Sequence, residues 1–396
     1  MIPSIIWIIF LFLLGACVGS FLNVVVYRMP REISLVYPPS RCPNCDRNIP
    51  WYDNIPIVGW FILKGKCRQC KQPFSFRYPL FELLTALIFT SLFCIYFKTG
   101  IRENIPLFEK GGYIVYFAHI FVISVLLASS LIDAEHWIIP LGLSYSMAIV
   151  GVIAAGMASM SNAFGDVATR FQTMPYVNPA NAAIAFAALV GIVASVIMVK
   201  IKWLDQSFME LEKAIEQMKK DNPDLKEIDY DDLPIEVNFR REMVREIIFL
   251  SPAIVLSAFA IILCGDGGLC VKWWQGICES NSWLPGVAGS VFGFMIGGAV
   301  VWATRILGTL AFNREAMGLG DVHLMAGVGA VLGWQSPTIA FFIAPFFGLA
   351  WAIGRLVLKG HREIPYGPFL SMATVIVMIF HDPIMKYCSE MLFPGK

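Results

Sequence analysis

The chain has 396 residues, 57% hydrophobic and only 15% charged, and its mean hydropathy is +0.66. Those values exclude nearly every soluble class and describe a polytopic membrane protein. The formal charge of +1 leaves no basic surface for nucleic acid; the Lys and Arg residues gather in particular loops, where they report topology.

The first apolar run, 5–27, opens without a basic leader and is long enough to cross a hydrocarbon core of about 30 Å, so it is expected to stay as a helix. Its LGAC string, ending at Cys17, lies inside a continuing helix without a positive n-region; a buried thiol is expected there, not a lipid anchor.

Further runs long enough to cross occupy 79–97, 113–132, 138–160, 181–201, 246–264, 286–309, 336–357 and 368–388. A shorter run, 322–334, can cross if other helices line it, which brings the expected count to about ten in an all-α membrane fold. Gly289, Gly293 and Gly297 recur every fourth residue, as do Gly15, Gly19 and Asn23, a spacing that lets helix backbones approach. GVGAVLG at 327–333 follows no strand and is not read as a dinucleotide loop.

The segment 28–78 joins the first two runs and carries Arg28, Arg31, Arg41, Arg47, Lys64, Lys66, Arg68, Lys71 and Arg77, so it is expected on the cytoplasmic side, with the N-terminus outside. It holds CPNC at 42–45 and CRQC at 67–70. Paired knuckles of this kind bring four thiolates to one tetrahedral metal, so Cys42, Cys45, Cys67 and Cys70 are the expected ligands of a structural zinc ion, with redox chemistry as the alternative. A reducing compartment disfavours disulfides there, and four cysteines leave no open coordination position.

Alternation from that loop places the end near Asp133, the GLGD turn at 318–321 and the KGHREIPYG loop on the same cytoplasmic face. The stretch 204–246 is mixed in charge, with Leu211, Ile215 and Met218 at helical spacing, and reads as a solvated excursion with one amphipathic helix. Cys264, Cys270 and Cys278 lie in or beside an external loop at 265–285 and allow at most one disulfide.

Carboxylates near hydrocarbon are costly and usually retained for a purpose. Asp133, in SSLIDAEHWIIP, reads alone equally well as a helix-end residue. Asp321 supplies a second carboxylate on the same face, and two such groups within a few Å share a proton, as a water-activating pair requires. Gly318 and Gly320 are expected to turn the backbone sharply and leave room for a substrate chain. Glu135 and His136 read as interfacial residues, and His323 as a lesser candidate for contact with the pair. A transporter using the same acids as a proton relay is the competing reading, and a zinc-bearing assembly factor without catalysis is the third.

GSFLNVVVYRMPR at 19–31, the two CxxC pairs, RYPLFELLTALIF at 77–89, LIDAEHWIIP at 131–140, GLGD and IPYGPFL at 364–370 together resemble the type IV prepilin peptidase family. The resemblance implies that Asp133 and Asp321 are the catalytic aspartates of a GxGD intramembrane protease that cuts prepilins or pseudopilins after a glycine at the cytoplasmic border of the inner membrane. It also implies methyl transfer from S-adenosylmethionine to the new N-terminal amine, usually of phenylalanine. Glu82 matches a motif glutamate that serves either structure or methyl transfer. Leu141 and His323 depart from the family pattern.

The substrate implied is a small protein with a basic leader and one apolar helix; pilus or secretion assembly components are further candidate partners. The expected divisions are a first helix at 1–27, the zinc loop at 28–78, helices carrying the first aspartate at 79–160, an insertion with two extra spans at 161–285, and helices carrying GLGD at 286–396.

Overall fold

Apolar runs of twenty or more residues satisfy their own backbone groups only as helices in lipid. The computed structural model describes residues 4–161, 173–205, 207–209, 217–218, 238–264, 269–357 and 365–392. These residues form α1 (Ser4–Arg28), α2 (Val58–Ile62), α3 (Arg77–Lys98), α4 (Gly112–His136), α5 (Leu141–Met160), α6 (Pro179–Lys200), α7 (Phe239–Cys264), α8 (Leu269–Ser280), α9 (Leu284–Phe312), α10 (Leu319–Leu332), α11 (Gln335–Val357), α12 (Gly367–Ile379) and α13 (His381–Leu392). Among the described residues there is no strand, only two isolated bridges in the cysteine loop.

Eight described helices are long and apolar enough to cross a membrane, namely α1, α3, α4, α5, α6, α7, α9 and α11. The run expected at 368–388 is not one straight span, because α12 and α13 meet at 84°. α13 carries Asp382, Lys386 and Glu390, groups that do not suit hydrocarbon, and Arg102 Nε lies 3.1 Å from Asp382 Oδ1 at its start. The count of ten is therefore approximate.

α10, with 14 residues, is about 21 Å long at 1.5 Å per residue, too short to cross alone. Protein surrounds it instead: Val322, Leu324, Met325, Val328 and Val331 are all buried, and it packs on α9, α5, α11 and α4. The contact with α9 is backbone on backbone. A Cβ at Gly293 would collide with the Gly329 carbonyl, and a Cβ at Gly329 with the Gly293 carbonyl. Ser290 Oγ donates to the Ala330 carbonyl at 2.7 Å across the same contact. α1 and α3 lie antiparallel in a second close pair, with Lys98 Nζ donating to Ser4 Oγ at 2.7 Å at the end away from the cysteine loop.

Two expectations change. Cys17 is exposed on α1, not buried, because its helix offers Gly15, Ala16 and Gly19 to the neighbouring helices and turns Cys17 outward. The stretch expected as an external loop at 265–285 contains α8, whose Trp274 is buried against α6 and α9. Asp133 lies in the last turn of α4, at the helix end where the sequence put it. Leu211 and Ile215 of the expected amphipathic helix lie outside the described residues, while Met218 is in a short helical stretch. Cys278 carries a free thiol, and the side chain of Cys270 lies outside the described residues.

Replacing Gly293 with Val forces the α9–α10 contact apart. The expected loss is about 3 kcal/mol, the upper part of the usual range for overpacking, read as reduced thermal stability of the detergent-solubilised chain beside an exposed control, Phe346→Leu.

Candidate active site

The cysteine loop is built from two copies of one turn. Cys42 N–H donates to the Arg47 carbonyl at 3.0 Å and Asp46 N–H to the Cys42 carbonyl at 2.9 Å; Cys67 N–H donates to Gln72 at 2.8 Å and Lys71 N–H to Cys67 at 3.1 Å. Asp46 and Lys71 take left-handed conformations, with φ of 51° and 59°, and the bridges Arg41–Asn48 and Lys66–Pro73 close the two turns. One ligand atom from each of Cys42, Cys45, Cys67 and Cys70 lies within 4.8 Å of the others, and Cys42 Sγ is 3.7 Å from Cys70 Sγ. Ligands at 2.3 Å in a tetrahedron stand roughly 3.8 Å apart, so the cluster fits a closed four-thiolate metal site.

The backbone N–H of Gln72 leads the effects that hold the Cys70 thiol down to about 6. Against a downward pull from the Arg47 N–H, burial and the crowding thiols of Cys42, Cys70 and Cys67 push Cys45 up to about 11. Such crowding is relieved when a cation takes the sulfurs. Arg68 clamps the cluster's flank: its Nε and Nη2 donate to Asp53 at 2.7 and 2.5 Å, and this fork holds the Asp53 carboxyl below the usual carboxylate range.

Glu82 ties this loop to the helices. Its Oε2 accepts from Ile57 N–H at 2.5 Å, and the Ser20 hydroxyl of α1 also reaches it. Ile57 stands at φ 62°, ψ −58°, the centre of a γ-turn in which Val58 N–H donates to Pro56 at 2.6 Å. A β-branched residue holds that conformation only where its surroundings impose it. Arg77, at the start of α3, pairs with Glu135 of α4, so the cysteine loop and the end of α4 share one end of the bundle.

At that end α4 stops because Trp137 turns left-handed, with φ 56° and its N–H on the Asp133 carbonyl at 2.9 Å. Ile138–Pro140 then lead, outside any helix, into α5, with Pro140 extended as its N-cap. Asp133, 6% exposed, accepts from the Gly367 N–H through Oδ2 at 3.1 Å. Asp321 enters in the first turn of α10, 8% exposed, and its Oδ1 is buried without a hydrogen-bond partner among the described residues. Asp133 meets the start of α12 at Gly367, and Ile139, six residues on, meets both Gly367 and Gly320 beside Asp321, so the two carboxylates lie at one end of the bundle. Ile139 packs against the starts of both α10 and α12: a Cβ at Gly320 would stand 3.0 Å from its Cβ, and one at Gly367 would stand 3.4 Å from its Cδ1 and strike Asp133 Oδ2.

Gly318 does not make the sharp turn expected of it. With φ −73° and ψ 148° it is an extended N-cap that any residue adopts, and the chain reverses earlier, at Asn313, φ 52°. At Gly320 the missing side chain admits Ile139, which packs directly on its Cα. His323 stacks edge-on against Tyr145 at 6.0 Å, and His136 keeps Nε2 buried without a partner among the described residues. The Gly367 N–H was not picked out from the residues themselves, although it lies in IPYG, and neither were Ile139 and the Asp53–Arg68 fork.

The fold and these two sites define a polytopic helical membrane protein with a four-cysteine loop domain and a buried pair of carboxylates at the loop's end of the bundle. Residues 13–96 match the model described as Bacterial Peptidase A24 N-terminal domain, and residues 249–353 match the Type IV leader peptidase family. The chain is 32% identical over 400 residues to the prepilin leader peptidase/N-methyltransferase of Pseudomonas aeruginosa, covering 94% of this chain and 90% of that one. The protein of the same name from Aeromonas hydrophila is 23% identical over 96% of this chain and 94% of its own.

The Myxococcus xanthus relative is 39% identical over 43% of this chain, a match that spans about half its length, 48%. No solved structure matches. The chain belongs to the prepilin leader peptidase/N-methyltransferase family, whose name joins a protease and a methyltransferase activity. Membership leaves the transporter reading without support.

Changing Cys67 to Ser opens the four-thiolate cluster. Elemental analysis of the purified chain is expected to give metal near one equivalent for the native protein and near none for the variant.

Proposed function

We propose that the chain is a membrane aspartic endopeptidase that removes the leader of type IV prepilins or pseudopilins after a glycine, with Asp133 and Asp321 as its catalytic pair. What supports this reading is that two buried carboxylates, from helices distant in sequence, lie at one end of the bundle, linked through Gly367, Ile139 and Gly320. The Gly367 N–H donates to Asp133, the interaction a carboxylate wants, while Asp321 Oδ1 has no donor among the described residues. We therefore assign the ionised role to Asp133 and the protonated role to Asp321.

Asp133 takes a proton from water as its oxygen attacks the scissile carbonyl carbon, and Asp321 donates to the carbonyl oxygen. Collapse of the resulting diol breaks the C–N bond, and the proton held by Asp133 goes to the leaving amine. The missing side chains at Gly320 and Gly367 let Ile139 and Asp133 pack directly against the starts of α10 and α12, which fixes the backbone beside both acids.

In this reading the basic segment 28–78 and the acid pair face the cytoplasm, the N-terminus lies outside, and the bilayer is the bacterial inner membrane. Zinc is the ion we assign to Cys42, Cys45, Cys67 and Cys70, as a structural group. S-adenosylmethionine is the proposed methyl donor to the new N-terminal amine. We place that second activity at the cysteine loop, whose shape Glu82 supports through Ile57 and Ser20. We keep the proposed divisions at 1–27, 28–78, 79–160, 161–285 and 286–396.

Asp133→Asn and Asp321→Asn are each expected to lower leader removal from a tagged prepilin by about 10³-fold or more, with the native metal content retained. Methylation of a synthetic peptide that begins at the mature N-terminus should persist in both variants. Native cleavage rates in both would end the assignment of the pair.

A further inference from the structure

Arg305 lies in α9, two turns before its end, and is 1% exposed. Its guanidinium joins three elements. Nε and Nη2 donate to Glu246 Oε1 of α7 at 3.3 and 3.2 Å, and Nη1 donates to Glu315 Oε1 at 2.5 Å and to the Met317 carbonyl. Glu246, 2% exposed, has its other oxygen occupied by the Trp302 indole N–H at 2.7 Å. The Phe208 ring stacks 5.3 Å from the cation, and Met243 and Ile306 extend the apolar shell.

Met317 is the residue immediately before GLGD. The link that carries it is strapped to α9 at a second point, where Ala316 N–H donates to Thr309 Oγ1 at 3.1 Å. Thr309 and Arg305 are one turn apart and both buried, so a single face of α9 holds the whole approach to α10. Neutralising a buried arginine takes one carboxylate; two carboxylates and a peptide carbonyl together use its planar fork, which lysine lacks. A fork aimed at a backbone carbonyl fixes where a chain starts, and Asp321 follows only four residues later.

We propose that Arg305 is the positioning residue of the GLGD loop, and that Glu246 aims it, so that α7 in the 161–285 segment sets the placement of Asp321. This rests on the reading of Asp133 and Asp321 as the catalytic pair. Arg305 acts through the Met317 carbonyl and does not meet substrate. The segment thereby acquires a role in the chemistry. Near the two ends of its charged stretch 204–246, the Phe208 N–H donates to Glu242 Oε2 at 2.6 Å beside the clamp.

Removing one partner of a buried ion pair strands the other, whereas replacing both by apolar residues often preserves stability. The test uses that difference in the full chain, reconstituted in liposomes, with a tagged prepilin as substrate. The double variant Arg305→Met/Glu246→Met is expected to melt close to the native chain, because Glu315, the one carboxylate it leaves, is 25% exposed and can be hydrated. Its kcat should fall about 10²-fold, the effect of a misplacement near 1 Å, with KM held within about threefold, since ground-state binding is untouched.

Arg305→Lys should recover part of the lost kcat. Glu246→Gln, which leaves Glu315 to balance the cation, gives a second reading and should lower kcat at unchanged KM even if the double variant fails to fold. Native kcat in the double variant, or in Glu246→Gln, overturns the proposal, as does a loss that tracks melting temperature across the series. Asp133→Asn runs beside them: if it is inert while Glu246→Gln is native, only the positioning role falls, and if it cleaves normally the catalytic pair itself falls.

Discussion

Everything at the acid end depends on burying one short helix. α10 is too short to cross a bilayer, so its ends are stable at membrane depth only because α5, α9 and α11 surround it. That enclosure is possible because the backbones of Gly293 and Gly329 meet with no side chain between them. Bulk at the contact would move α10 outward and carry Asp321 with it. Helix packing, normally a matter of stability, here sets the separation of two chemical groups.

The second constraint is the coupling between the cysteine loop and the same end of the bundle. A loop of this length has too little apolar residue to form a core of its own, and its two turns are held by backbone bonds and four converging sulfurs. Glu82, Ser20, Arg77 and Glu135 then fasten it to α1, α3 and α4. The cysteine loop and the two buried acids thus lie at the same end of the bundle.

Much of this was legible in the residues. Length and hydropathy located the spans because the bilayer imposes one length on every helix, and the CxxC spacing located the cluster because four thiolates have one compact geometry. Alternation of the spans put Asp133 and Asp321 on one membrane face, and the proposed pairing starts from that. What stayed hidden was set by tertiary contacts. The 84° bend after Ile379 reflects charges at the start of α13, which an average over a 20-residue window conceals. The reversal at Asn313, not Gly318, depends on Thr309 and Arg305, which sequence spacing alone does not connect to the loop. Cys17 faces outward because the close contact of α1 falls on its glycines.

The central claim is that residues 133 and 321 hold one water between them. Its most direct measurement is the separation of the two carboxylates in an experimental structure of the native chain in a lipid nanodisc. Two hydrogen bonds to a shared water place the nearest oxygens within about 5.5 Å. A map in which packed apolar side chains separate the two acids, or in which they occupy opposite membrane faces, contradicts the account.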